Sequence, residues 1–197
     1  AQRYADVVRR VIAAEQKAVP GQSGLAEAAA RYLYKLMAYK DEFEVARLHA
    51  DPAFLAQLDA QFKHGYTVKY NLAPPTISKR DPVSGELQKR QFGPWMLTAF
   101  KLLARFKGLR GGAFDIFGKT AERRDERQLI KDYIELLDDI CAGLHGGNHT
   151  AAVALASVPD EIRGYGHVKE KSVAAAAQLQ AQRMQAFRNA RPVRLAA

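Results

Sequence analysis

A mostly α-helical fold, with about six to eight helices and a small inserted β-hairpin, is what this 197-residue chain predicts. Three observations carry that expectation. Apolar residues recur at helical spacing along most of the chain, strict alternation occurs in only one stretch, and neither a βαβ succession nor an internal repeat is present. The length suits a single domain, residues 1–197, with a core large enough to stand without staples. With 48% hydrophobic and 26% charged residues, the composition excludes wholesale disorder.

The elements follow in order. Tyr4, Val7, Val8, Val11, Ile12 and Ala18 mark an amphipathic helix over 3–19 that Pro20-Gly21 closes. Ser23 is placed to cap a second helix burying Leu25, Ala29, Tyr32, Leu33, Leu36 and Met37. Phe43, Ala46 and Leu48 continue that helix or start another. Asp51-Pro52 reads as an N-cap and first turn, followed by Phe54, Leu55, Leu58 and Phe62, with Gly65 as the stop. Tyr66, Val68, Tyr70 and Leu72 then alternate with polar residues, a strand signature that Pro74-Pro75 ends. Asp81–Gly85 reads as a turn between short extended flanks at 77–80 and 87–92. Pro94 opens a very apolar helix in which Trp95, Met96 and Phe100 are read as core, ending near Gly108.

Glycines 108, 111, 112 and 118 make a loop, and Thr120 caps the clearest helix of the chain. Leu129, Ile130, Tyr133, Ile134, Leu137, Ile140, Cys141 and Leu144 form its buried stripe, and Gly146-Gly147-Asn148 ends it. A short helix (151–157) broken at Pro159, a turn at 163–166 and an alanine-rich helix from about Val168 to Asn189 complete the chain. Residues 178–197 are read as the end of that helix and a flexible basic tail.

Charge raises the question of partners. Thirty Lys+Arg against 21 Asp+Glu give a net charge of +9, spread over both halves without a polybasic arm. Between Lys101 and Lys131 nine basic residues face four acids, and after Glu170 there is no acid at all. Solvated helix faces account for such runs as a rule; the sharper reading is a surface for an anionic partner. Within the stretch, the glycine loop opening into the Thr120 helix resembles an anion cradle, because free N–H groups and the helix dipole face one point. Arg110, Lys119, Thr120, Arg123 and Arg124 are therefore the anion-binding candidates. The stretch matches neither a P-loop nor a dinucleotide fingerprint.

Other chemistry finds less support. His145 and His149 have the spacing of two metal ligands on a helix face, but two glycines lie between them and no Glu fills the zinc-peptidase slot, so no metal site is assigned. Cys141 on an apolar stripe reads as a buried, unreactive thiol. As the only cysteine it excludes an internal disulfide framework and a four-cysteine cluster held by this chain alone. Asp115, Glu122, Asp125 and Glu126 are not paired by spacing with any histidine, and no catalytic residue is assigned. With no bilayer-length apolar run and no leader pattern at the start, a reducing cytoplasm is the expected compartment.

Several stretches taken together resemble a known region. YLYKLMAYKDEFEVARLH (Tyr32–His49), FGPWML (Phe92–Leu97), KGLRGGAFDIFGKTAERR (Lys107–Arg124) and IRGYGHVKE (Ile162–Glu170) are similar, in order and spacing, to the C-terminal region of the long, fused bacterial indolepyruvate ferredoxin oxidoreductases. The resemblance implies a parent that oxidatively decarboxylates aryl 2-oxoacids using thiamine diphosphate, iron–sulfur clusters and coenzyme A, and hands electrons to ferredoxin. It implies a cytoplasmic homo-oligomer. The present chain has no Gly-Asp-Gly…Asn thiamine motif and a single cysteine, so no cofactor is expected within it. The lack of an initiator Met points to an excised, inactive C-terminal accessory domain of that oxidoreductase. Its expected partners are the other domains of the same polypeptide, with ferredoxin and coenzyme A as further anionic contacts. The alternative is a stand-alone basic helical module binding nucleic acid; the interspersed acids and the lack of a helix-turn-helix or aromatic strip argue against it.

Overall fold

A computed structural model describes residues 1–73, 78, 88–109, 112, 115, 117–118, 120–164 and 166–190. Eight α-helices and one two-stranded antiparallel sheet lie among the described residues, so the fold is mostly helical with a minor β element, as the periodicity predicts. The chain divides into two compact units: residues Ala1–Tyr39 with Asp125–Ala197, and the inserted stretch Lys40–Arg124.

The first unit contains α1 (Gln2–Ala18), α2 (Gly24–Met37), most of α6 (Ala121–Gly143), α7 (His149–Ala156) and α8 (Gly166–Asn189), with a 3-10 turn at Val158–Glu161. Its core takes Val7 and Val11 from α1, Leu25, Ala29 and Leu33 from α2, Leu137 and Ile140 from α6, and Leu155 from α7. Each buried Leu or Ile here contributes about 1.5–3 kcal/mol by leaving water. The α6 stripe lies where the spacing placed it, with Leu136 added. α2 packs on both α1 and α7. The approach to α7 is close: a Cβ on Gly24 would sit 3.3 Å from Val153 Cγ2.

One N-terminus departs from expectation. Ser23 precedes α2, but its hydroxyl donates to Glu27 instead of accepting from the helix. The first N–H groups of α2 are taken by Glu15 of α1, because a carboxylate from a neighbouring helix brings charge as well as acceptors to the positive helix end. α8 starts two residues earlier than the sequence suggests, at Gly166, and runs on through 178–189; residues 191–197 of the expected tail lie outside the described residues.

The second unit holds α3 (Glu42–His49), α4 (Pro52–Gln61), β1 (Tyr70–Leu72), β2 (Arg90–Phe92) and α5 (Met96–Arg105), which runs into a 3-10 turn at Phe106–Leu109. α3 is a separate helix because Asp41 caps it, accepting the Glu44 N–H at 2.8 Å. Asp51 caps α4 by accepting from Ala53, with Pro52 in the first turn, as the dipeptide predicts. α4 ends at Gln61, and the chain turns at Gly65, whose φ of +87° suits glycine.

Only Tyr70–Leu72 of the alternating stretch pairs, with Tyr70 opposite Phe92 and Leu72 opposite Arg90. Residues 66–69 carry no ladder bond. The expected turn at 81–85 and nearly all of its flank at 77–80 lie outside the described residues. A small core of Ala46, Tyr70 and Phe100, with Val68, Phe92, Met96, Leu97 and Leu103 around it, joins α3, the sheet and α5.

Trp95 corrects the sequence reading. Phe100 is buried and Met96 partly so, but Trp95 is 62% exposed and Phe106 48% exposed. Trp95 precedes α5 as its N-cap residue and projects to the border of the apolar side, whose centre, opposite Thr98, Lys101 and Arg105, carries Met96, Phe100 and Leu103.

Candidate functional site

Three of the five anion-binding candidates, Thr120, Arg123 and Arg124, are among the described residues. Arg110 and Lys119 lie outside the described residues. Thr120 does cap α6: its Oγ1 accepts the Arg123 N–H at 3.3 Å. The Arg123 guanidinium, only 11% exposed, turns to Glu42, with Nη2 at 3.5 Å from both carboxylate oxygens. Arg124 is exposed. Before the helix, buried Asp115 accepts the Gly118 N–H at 2.8 Å, and a Cβ on Gly118 would collide with that carboxylate. Carboxylates of the chain itself thus stand beside this helix start, and an incoming anion would compete with Glu42 for Arg123.

A second constellation was missed by the sequence reading. Glu15 is fully buried, yet both of its oxygens are engaged. Oε1 accepts the Leu25 N–H at 2.8 Å and lies 2.7 Å from His149 Nε2; Oε2 accepts the Ala26 N–H at 2.8 Å. Burial alone would raise the carboxyl pKa, but the bonds from His149, Leu25 and Ala26 outweigh it and hold the group below its ordinary value. An ionised carboxylate only accepts, so His149 Nε2 carries the proton. The signal in sequence was positional: Glu15 falls four residues after Val11 and eight after Val7, on the buried stripe of α1. The pair resembles a general-base dyad by composition only, since its oxygens are fully used in binding α1 to α2 and α7.

His145 sits in the turn before α7, where its Nδ1 accepts the Gly147 N–H, so the two histidines do not share a helix face. Lys169 and Glu126 form a further sheltered pair at 2.8 Å. Cys141 is half-buried, and burial pushes its thiol pKa up to about 11, which suits an unreactive side chain.

The second unit carries a cleft of about 570 Å³, a size suited to a small ligand or an inserted side chain. Leu55, Phe62, Tyr66, Val68, Tyr70 and Leu97 form its apolar wall, with Asp59 and Lys63 at the polar positions. The Tyr66 hydroxyl donates to Asp59 Oδ1 at 2.6 Å, which fixes the ring and raises the phenol pKa. Tyr70 also meets His49, whose ring is edge-on to it at 5.3 Å and stacked on Phe100 at 5.0 Å. Burial among these rings lowers the His49 pKa, so the imidazole is neutral at pH 7. The cleft offers binding surface rather than a nucleophile.

The family described as "Family of unknown function (DUF6537)" matches residues 1–182. The chain belongs to this family. No curated protein matches the chain, and no solved structure does. In this DUF6537 member the match covers the whole second unit and the first as far as residue 182, and with them the Glu15–His149 pair and the aromatic cleft. Among the described residues no cluster of three or more His, Cys, Asp or Glu could hold a metal ion. Nor is any helix among them long and apolar enough to cross a membrane.

Proposed function

We propose that this chain is a non-catalytic accessory domain of a 2-oxoacid ferredoxin oxidoreductase, most similar in its motifs to the indolepyruvate enzymes, and that it packs on the catalytic domains of the same polypeptide. The parent on this reading is a cytoplasmic homo-oligomer that supplies thiamine diphosphate and iron–sulfur chemistry elsewhere, with ferredoxin and coenzyme A as its anionic partners. The observation that carries the accessory role is the surface of the second unit. Leu48, Phe54, Phe62, Tyr66, Trp95, Leu102, Phe106 and Leu109 are all exposed there, against Ile12, Tyr34 and Val168 among the described residues of the first unit. Apolar surface concentrated in this way is the mark of a face that another protein surface covers. The cleft between α4 and α5 gives such a neighbour a pocket to fill.

The test uses the longest polypeptide encoded with this segment. Anaerobic addition of indolepyruvate and coenzyme A should bleach its iron–sulfur absorption. Deleting residues 1–197 should leave the iron content in place while the isolated remainder shows a changed oligomeric state or turnover. A parent whose spectrum ignores indolepyruvate overturns the enzyme assignment, and a deletion that alters neither assembly nor turnover overturns the accessory role.

A further inference from the structure

The cleft of the second unit borders one polar group that packing does not explain. Tyr70, in β1, is only 5% exposed, and Phe100 and His49 stand edge-on to its ring at 5.2 and 5.3 Å. The ring belongs to the small core, yet the hydroxyl makes no hydrogen bond among the described residues. Burial alone raises its pKa, with no hydrogen bond contributing. The oxygen is not sealed inside the core either, and the space it borders is the cleft. A buried tyrosine hydroxyl as a rule finds a partner. Phenylalanine would fill the same core without leaving a polar group over. The other phenol of the cleft, Tyr66, is already committed to Asp59.

Size and charge narrow what meets that hydroxyl. A closed cavity of about 150 Å³ accommodates benzene. At about 570 Å³ the cleft has room for a two-ring molecule, and one inserted side chain would leave much of it to water. Phe62, Tyr66 and Leu97 give it ring and alkyl walls, on which an aromatic body packs well. Its two formal charges, Asp59 and Lys63, are of opposite sign. An anion entering the cleft would meet the carboxylate as well as the ammonium, and a cation the ammonium as well as the carboxylate. A neutral molecule meets neither repulsion and gives up less hydration on entry. Whatever displaces water from Tyr70 must replace its hydrogen bond, and a hydroxyl does so as donor or as acceptor.

We infer that the cleft between α4 and α5 binds a small neutral aromatic molecule of two rings that bears one hydroxyl, with Tyr70 Oη bonding the hydroxyl and Phe62, Tyr66 and Leu97 packing on the rings. Tyr70 sets the specificity. It is backed by Phe100 and His49 and stands opposite Phe92 in the ladder, so its hydroxyl is in place before a ligand arrives. The Tyr66–Asp59 bond fixes the neighbouring ring in the same way. The site lies wholly within the second unit and does not depend on the parent's reaction. A tyrosine offered by a covering domain carries related chemistry, and the test separates the two sources.

The probe is 2-naphthol, titrated into the chain at neutral pH and followed by calorimetry and by its own emission. It should bind saturably and about three- to tenfold more tightly than naphthalene, the fold-change that one hydrogen bond supplies. 2-Naphthoate and 2-naphthylmethylammonium, similar in size and opposite in charge, should both bind more weakly than 2-naphthol. Tyr70→Phe should bind 2-naphthol and naphthalene alike and keep the wild-type urea midpoint, since no bonded hydroxyl is lost. Phe62→Ala, at an exposed wall position, should weaken both neutral ligands. In the longest polypeptide encoded with this segment, 2-naphthol should bind as it does to the chain. The inference is overturned if binding does not saturate, if naphthalene binds as tightly, if the preference survives Tyr70→Phe, or if either ion binds more tightly. Loss of the site in the longer polypeptide would also overturn it, giving the cleft to a side chain of a covering domain.

Discussion

Replacing Glu15 by alanine removes one side chain and strands three donors at once: the N–H groups of Leu25 and Ala26 and the imidazole of His149. A hydrogen bond to a charged acceptor is worth about 1.5–3 kcal/mol net, and a donor left buried costs about 1–3 kcal/mol. Water admitted into the gap offsets part of that sum. Breaking a buried ionic contact costs about 3–5 kcal/mol in comparable settings, which is the expected loss for Glu15→Ala. Against a typical domain stability of about 5–15 kcal/mol, this leaves the first unit marginal. Glu15→Gln keeps the shape and one acceptor but turns an amide N–H₂ towards a donor, at about 2 kcal/mol. His149→Ala leaves the carboxylate its two backbone donors and should cost less than either.

Urea unfolding followed by far-ultraviolet circular dichroism at pH 7 measures all three. The pH dependence supplies a second check. The folded carboxyl pKa lies below its ordinary value of 4.5, so its contribution is complete above that value and is lost as pH falls through the folded one. The gap between wild type and Glu15→Gln should therefore close in acid. A cost for Glu15→Ala below about 1 kcal/mol, or a gap between wild type and Glu15→Gln that is as wide at pH 3 as at pH 7, would refute the staple.

Three further outcomes are expected. Lys169→Met, which removes the Lys169 ammonium from sheltered Glu126, should lower the urea midpoint by the equivalent of about 1–3 kcal/mol, and Lys169→Arg should recover most of it. His49 is neutral among Phe100, Tyr70 and Phe54 because burial lowers its pKa, so the unfolded chain takes up a proton first as pH falls below about 6.5. Thermal unfolding between pH 7.5 and 5.5 should show that loss, and His49→Phe should abolish it; equal pH slopes would count against the argument. Cys141 should react slowly with an aromatic disulfide at pH 8 and at once in denaturant, since few molecules hold the thiolate when the thiol pKa is near 11.

The features that sequence periodicity conveys are those that depend on neighbours along the chain. α6 is a case in point: every fourth or third residue is apolar, one side is charged, and the buried stripe follows without reference to the rest of the molecule. Asp51-Pro52 is another, because both the cap and the proline act within one turn. Ser23 obeys the same local rule and yet does not cap α2. Glu15, eight positions before Ser23, reaches the same N–H groups with a full charge, and no local pattern weighs the two acceptors against each other.

The same distinction separates the candidate site from its surroundings. Arg123 looks available in the sequence because Glu42 is 81 residues away, and only the fold brings them to 3.5 Å. A charge cluster read along the chain therefore overstates what is free to bind a ligand, most of all where acids from elsewhere can reach it. Lys101, Arg105 and Lys107 differ in that they are exposed and lie in a stretch of sequence, Gly93 to Phe114, without an acid. Beside them Trp95, read from the sequence as core, is exposed, and so is Phe106. Excess apolar surface bordered by uncompensated charge is costly in an isolated domain, and the direct way to recover that cost is a partner that covers the first and neutralises the second.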